Sequence, residues 1–240
     1  MIAKAEACDR LLSVFHNRRW DADFLTLKRL IAEGRLGQVR EFASHYDRLR
    51  PTVRDRWRER AGPGAGTWYD LAPHLLDQAV QLFGVPDSIY VDIQLQRIGA
   101  QAPDYFHCLL RYPETRVILH SSCLVADARF RLAVHGTGGS FVKHGLDCQE
   151  AMLKAGGKPG QAGWGVDDGA VVLTRAEGDA SIVEPLTLQP GDYRQFYAEM
   201  RDAIAGHGAN PVPGEDALVI MKMIELGMKS AAQRRELDLA

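Results

Sequence analysis

With 240 residues, 46% of them hydrophobic and 25% charged, the chain can build a sizeable core and needs no disulfide or metal staple. A formal net charge of -2 argues against nucleic acid or an anionic membrane as partner, and no apolar run approaches membrane-spanning length. The four cysteines (Cys8, Cys108, Cys123, Cys148) form no Cys-x-x-Cys pair and have no histidines at metal-ligand spacing, so a reducing, cytoplasmic setting without a metal is expected.

Residues 1–10, rich in Ala, Lys and Glu, predict a helix that leads into Leu11-Leu12-Ser13-Val14-Phe15-His16, a short buried-strand pattern. A helix feeding a strand is half of a βαβ unit, and the preceding strand is absent. The polar turn Asn17-Arg18-Arg19-Trp20-Asp21 follows, then an amphipathic helix over residues 22–33 closed by Gly34 and Gly37. Strand signals dominate from Val39 to about His144. Arg40, Phe42, Ser44 and Tyr46 fall on one side of the first run. Ile89, Val91, Ile93 and Leu95 then alternate with Tyr90, Asp92 and Gln94, and Phe106, Cys108 and Leu110 with Tyr105, His107 and Leu109. Residues 116–124, Phe130 to Val134 and 140–143 continue the pattern. Short connections and period-two alternation predict an antiparallel meander. The glycines of residues 155–170 mark an irregular excursion around Trp164. Two short strands near Leu173 and Ile182 and two helices, 192–205 and 214–234, finish the chain. The expected class is α+β, an open and predominantly antiparallel sheet with helices packed on one face.

The stretch that organises the chain runs Gly62-Pro63-Gly64-Ala65-Gly66-Thr67-Trp68-Tyr69-Asp70-Leu71-Ala72-Pro73-His74-Leu75-Leu76-Asp77. A glycine loop becomes an apolar helix, and a carboxylate and an imidazole sit four residues apart at the junction. If the helix already runs at Asp70, the spacing puts Asp70 and His74 on one face. If Pro73 is the first helical residue, Asp70 lies just ahead of the helix. In both cases the side chains can meet, and a carboxylate that holds an imidazole in one tautomer makes a general base. The competing reading is an aspartate at a helix N-terminus and a packed histidine.

Six arginines lie between residues 48 and 60, around Trp57. Arg56 and Trp57, nearest the glycine loop, are candidates to bind an anion or hydroxyls; the others read as a solvated loop. Arg18 and Arg19 follow a predicted strand end, where ligands gather in α/β folds, and surface salt bridges fit them equally. The glycine clusters make no dinucleotide fingerprint: Gly62-x-Gly64-x-Gly66 lacks a preceding strand, and Gly136-x-Gly138-Gly139 lacks the third glycine. No Gly-x-Ser-x-Gly elbow marks a hydrolase.

Jointly, Asn17-Arg18-Arg19-Trp20-Asp21, the stretch from Trp68 to Asp77, Asp104-Tyr105-Phe106-His107, Gly145-Leu146-Asp147-Cys148-Gln149-Glu150 and Pro211-Val212-x-x-Glu215-Asp216-Ala217 resemble the second domain of the Gfo/Idh/MocA oxidoreductases. The nearest branch is the NADP-dependent scyllo-inositol dehydrogenase-like proteins. The resemblance implies a two-domain enzyme, with a Rossmann domain for NAD(P) and an α+β domain for a polyol or sugar. It implies that Asp70 and His74 are the acid/base pair at the substrate hydroxyl. Arg19, Arg56, Trp57 and Tyr69 are then the substrate-side residues, with Asn17 and Arg18 near the cofactor. The family's Glu-Lys-Pro lysine has no counterpart, and Ala72 stands where a glycine is usual. Residues 1–16 are thus expected to be the helix-strand remnant of a truncated Rossmann domain, and residues 17–240 the substrate-binding and oligomerisation domain. Alone, the chain is expected to bind no NAD(P) and to be inactive. The sheet face with Tyr90, Gln94, Tyr105, His107, Leu109, Ile118 and His120 mixes aromatic, polar and aliphatic groups, which predicts a homo-oligomer. The alternative is a stand-alone, non-catalytic binding or assembly domain using the same sheet.

Overall fold

The computed structural model describes residues 1–127 and 130–239. After α1 (Ile2–Ala7) the chain runs extended to a 3-10 turn at Asn17–Trp20, then forms α2 (Ala22–Ala32) and β1 (Val39–His45). A second 3-10 turn (Trp57–Glu59) precedes α3 (Thr67–Phe83), followed by β2 (Ser88–Gln94), β3 (Tyr105–Arg111), β4 (Arg116–Ser122), β5 (Leu132–Gly136) and β6 (Gly139–Lys143). The remainder is α4 (Gln149–Lys154), β7 (Val171–Glu177), β8 (Ala180–Glu184), α5 (Arg194–Ile204), α6 (Gly214–Gln233) and β9 (Leu237–Asp238). Among the described residues no helix is long and apolar enough to cross a membrane, and the four cysteines are free thiols.

The nine strands form one open sheet in the order β8-β7-β6-β5-β1-β4-β3-β2-β9. The runs β2-β3-β4 and β5-β6-β7-β8 are antiparallel, as tight turns between alternating strands require. A single meander is not the whole topology. β1 lies between the two runs, antiparallel to β5 and parallel to β4. The long connection through α3 frees it from pairing with its sequence neighbour β2, which no local alternation can reveal. Phe42 and Ser44 of β1 and Tyr46 just after it are buried as the alternation requires, Ala43 is buried as well, and the pattern breaks at exposed Arg40, beside a register shift between Val39 and Glu41.

Residues 11–16 correct a second expectation. They are not a buried strand but extended chain with one bridge, Ser13 opposite Pro213. The Ser13 hydroxyl and the Val14 N–H both donate to the Val212 carbonyl, at 3.0 and 3.1 Å. Leu11 and Phe15 stay exposed, because no sheet edge is there to receive them.

One face of the sheet is the core. Ile89, Val91, Phe106, Cys108, Leu110, Val117, Leu119, Leu132 and Val134 are buried in one cluster with Leu71, Leu75 and Leu76 of α3 and Ile220, Met223 and Ile224 of α6. On the other face Tyr90, Tyr105, His107, Leu109, Ile118 and His120 are all half-buried, and Gln94 is exposed.

Trp68 fastens α3 to α6. Its ring is fully buried, lies edge-on to Phe106 at 5.2 Å, and its indole N–H donates to the Ile224 carbonyl at 3.1 Å. The ring fits because α6 has no side chain at Gly227, where a Cβ would sit 2.3 Å from Trp68 Cζ2. Gly227→Ala should therefore destabilise by about 1–3 kcal/mol, the usual range for overpacking. The check is a urea titration, with a lower midpoint at unchanged slope; a wild-type midpoint would contradict the packing.

Candidate active site

The turn from glycine loop to α3 is built at Gly66, whose φ of +92° lies in the region that favours glycine. A Cβ there would also sit 2.7 Å from the Pro103 carbonyl. The Gly66 N–H donates to Arg58 O and the Thr67 N–H to Pro103 O, both at 2.8 Å. The helix starts at Thr67, so it already runs at Asp70, and Pro73 is interior. Lacking an N–H, Pro73 makes no helical bond to the Tyr69 carbonyl. Asp70, in the first turn, suits the positive end of the helix dipole. Its carboxylate is taken by Arg58, Nε to Oδ1 at 3.0 Å. Among the described residues no hydrogen bond or ion pair joins Asp70 to His74, and His74 Nδ1 is buried without a partner. The two share a stretch of helix, but the carboxylate holds a guanidinium and not the imidazole.

A cleft of about 760 Å³ opens over this part of α3. Of the residues singled out in the sequence, Asn17, Arg18, Arg56, Asp70 and His74 line it together. Arg19, Trp57 and Tyr69 do not. Arg19 is buried and ties α3 to α6: Nη2 bonds Asp77 at 2.7 Å and Asp216 at 3.0 Å, and Nη1 donates to the Pro211 carbonyl at 3.0 Å. Trp57 is 62% exposed, with the Arg58 guanidinium 5.1 Å above its ring. Tyr69 packs against the main core. Four arginines read as solvated loop, Arg48, Arg50, Arg54 and Arg58, instead form cleft wall, while Arg60 pairs outside it with Asp55. Glu150 of α4 and Tyr193 just before α5 also line it. Neither carries a local signal of chemistry, since each is brought in by tertiary packing; Glu150 is the last residue of the family-like Gly145 to Glu150 segment.

Arg18 crosses the floor of the cleft. Its Nη2 donates to Glu150 at 2.6 Å and its Nη1 to the Tyr193 hydroxyl at 2.8 Å, which in turn donates to Asp21 at 2.9 Å. Lys154 and Arg18 hold the Glu150 carboxyl down to about 2. Beneath lies Arg131, its guanidinium 4.4 Å over the Tyr46 ring and bonded to Ser44 and Gln78. Gln78 passes its amide N–H to the Arg18 carbonyl at 2.9 Å. Asp21 and Asp23 are fully buried beside these cations. Burial, against the pull of Arg18, raises the pKa of Asp21. Burial first, then the charges of Arg18, His16 and Arg131, push His74 down to about 3. His16, edge-on to His74 with ring centroids 6.0 Å apart, is lowered mainly by burial as well. His74 is therefore a neutral imidazole near pH 7.

The other sheet face holds a grouping that no linear spacing reveals. Strand register sets His45 beside His120, and Asp47 bonds His45 Nδ1 at 3.0 Å and faces His120 Nε2 at 3.4 Å. The ligand atoms of these three lie within 4.8 Å of one another. The two histidines share the Asp47 carboxylate, and His120 Nδ1 is buried without a hydrogen-bond partner.

The glycine loop is entered from a 3-10 turn, and the Gly66 and Thr67 N–H groups at the start of α3 are engaged by Arg58 O and Pro103 O.

The C-terminal alpha/beta domain of the oxidoreductase family GFO_IDH_MocA matches residues 28–239. The chain is 57% identical over 238 residues to the uncharacterized oxidoreductase YdgJ of Escherichia coli (strain K12), covering 99% of this chain and 69% of that one. It is 39% identical over 231 residues to scyllo-inositol 2-dehydrogenase (NADP(+)) IolW of Bacillus subtilis (strain 168), covering 95% and 64%. The crystal structure of an oxidoreductase from Bacillus cereus superposes with a TM-score of 0.90 at 30% identity, covering 100% of this chain and 80% of that one. The chain spans roughly two thirds of the length of these two curated relatives, 69% and 64%.

The depressed histidines set a pH dependence. Below about 6.5 the unfolded chain takes up protons that folded His74, His16 and His120 refuse, so stability is whole above that pH and is lost as pH falls toward 3 to 4. The urea midpoint should be lower at about pH 5 than at about pH 7.5. In His74→Gln the difference should shrink, by at most about 1.4 kcal/mol per pH unit. An unchanged slope in that variant would mean His74 titrates normally.

Proposed function

The chain belongs to the Gfo/Idh/MocA oxidoreductase family, and from that premise we propose that it is the substrate-holding domain of an NAD(P)-dependent oxidoreductase acting on a hydroxyl of a polyol or sugar. The observation that carries this reading is His74, a neutral imidazole in the wall of a cleft lined by polar side chains. A neutral imidazole accepts a proton. As the hydroxyl carbon is oxidised the hydroxyl proton moves to His74, and in the reverse direction His74 returns it. Asp70 acts through Arg58, whose guanidinium it fixes in the same wall, and that pair orients the substrate's hydroxyls. Asn17 and Arg18 are the cofactor-side residues of this wall, Arg18 being positioned by Glu150 and Tyr193. The chain's own part is confined to substrate and proton, so by itself it is inactive. The B. subtilis relative, a scyllo-inositol 2-dehydrogenase (NADP(+)), supports a polyhydroxylated substrate.

The test joins to this chain the part of the E. coli relative that it does not cover, and follows NADP+-dependent oxidation of scyllo-inositol and of aldoses. His74→Ala should lower kcat by about 10²–10⁴; near-normal turnover would return His74 to a packing role. NADPH titrated into the unextended chain should give no saturable binding in the micromolar range, and such binding would overturn the confined role.

The sheet face opposite α3 and α6 supports self-association, since Tyr105 and His107 are half-buried there among Tyr90, Leu109 and Ile118. Sedimentation should give a lower mass for Tyr105→Glu/His107→Glu than for wild type; equal masses would remove that interface.

A further inference from the structure

The positive charge of the cleft is not balanced from within the protein. Arg18 pairs with Glu150, Arg58 with Asp70 and Arg56 with Glu59. Arg48, Arg50 and Arg54 line the same cleft, yet among the described residues their guanidinium groups have neither a carboxylate nor a hydrogen-bond acceptor. Arg48 and Arg50 are not loose surface side chains, whereas Arg54 is an exposed member of the wall. The Arg48 N–H donates to Ser122 O at 2.9 Å and the Arg50 N–H to Cys123 O at 2.7 Å, with Leu49 bridged to Leu124 between them. That ladder fixes the backbone as a strand would, so residues 48 and 50 project to one side and Leu49 to the other. Arg48 and Arg50 are half-buried there, and Leu49 is exposed. Burial, then the neighbouring charges of Arg48, Arg54 and Arg56, lowers the pKa of Arg50. Partly desolvated cations that repel one another without a counter-ion are costly, and an arriving anion removes that cost.

We propose that the cleft takes an anionic substrate, a polyol or sugar bearing a carboxylate or phosphate that seats on Arg48, Arg50 and Arg54. This rests on the reading of the cleft as the substrate site and narrows it from neutral cyclitols to acidic sugars. Arginine forks suit both groups, because each presents paired oxygens. The bound anion also offsets the cationic field on His74, which strengthens that imidazole as a base when the substrate is in place and not before. The same chemistry has a second source, the 2′-phosphate of NADP. The substrate is the proposed source; since Asn17 and Arg18 line the same cleft, NADP+ is the rival that the titration separates.

The experiment is calorimetric titration of the chain with glucuronate and glucose 6-phosphate, beside glucose and scyllo-inositol as neutral counterparts and NADP+ as the rival anion. At least one acidic sugar should bind roughly tenfold or more tightly than its neutral counterpart, and added salt should weaken it. Arg50→Gln/Arg54→Gln should weaken that binding by a similar factor, while Arg60→Gln, outside the cleft, should not. Thermal unfolding of each variant checks that it is folded. Equal affinity for neutral and acidic sugars, an unaffected double variant, binding of NADP+ alone, or no binding at all would each overturn the proposal. The two readings fail separately. His74-dependent oxidation of neutral polyols without acid-sugar binding would sink only the anion site. Arginine-dependent binding without His74-dependent oxidation would sink only the catalytic reading.

Discussion

A guanidinium that never meets water governs the architecture beneath the cleft. Arg131 is 2% exposed, and its main chain is stitched into the sheet on both sides, N–H to Lys143 O at 2.7 Å and carbonyl from His45 N–H at 2.9 Å. Ser44 of β1 and Gln78 of α3 bond its two terminal nitrogens, the Tyr46 ring lies under it, and Asp23 of α2 sits 3.7 Å from Nε, which has no hydrogen-bond partner. Removing one partner of such a buried pair typically costs about 3–5 kcal/mol, far more than the pair itself contributes over an apolar replacement. The arrangement is therefore better understood as a device for register than for stability. Through Gln78 it reaches the Arg18 carbonyl and so sets the Asn17–Trp20 turn against α3.

That buried positive charge then shapes the chemistry above it. Burial first, and then the fields of Arg18, His16 and Arg131, make the His74 imidazole a weak base. On the proposal of an anionic substrate, the bound anion would strengthen that base, and a neutral molecule would leave it weak.

Most of the fold was legible because the core-facing strands alternate cleanly. Phe106, Cys108 and Leu110 are fully buried while Tyr105, His107 and Leu109 are not. The placement of β1 was not legible, since parallel pairing with β4 depends on a crossover and leaves no mark on local pattern. Leu11 to His16 read as a strand because apolar spacing cannot tell a paired strand from extended chain with nothing to pair against. α4 and β9, at 6 and 2 residues, are too short to show a period. At the site, the loop-to-helix junction announced Asp70 and His74. The partner of Asp70 did not, because Arg58 takes the carboxylate from 12 positions upstream, well beyond the three or four residues over which helix spacing rules act. Arg19 shows the opposite error: a cation beside a candidate ligand turn is claimed by Asp77 and Asp216 once the helices pack.

The two borders of the sheet are unequal. Beyond β2, the strand β9 pairs only with Ser88 and Ile89, the Ser230 hydroxyl of α6 accepts the Val91 N–H at 3.0 Å, and Leu239 N–H donates to Asp87 O. At the opposite border β8 pairs with β7 alone, and four of its five residues are exposed. Head-to-tail growth into a fibril needs two free, complementary borders, and here one is partly covered by the molecule's own helix and tail. A copy joined strand to strand at the open border would pair β8 with β8 across a two-fold axis.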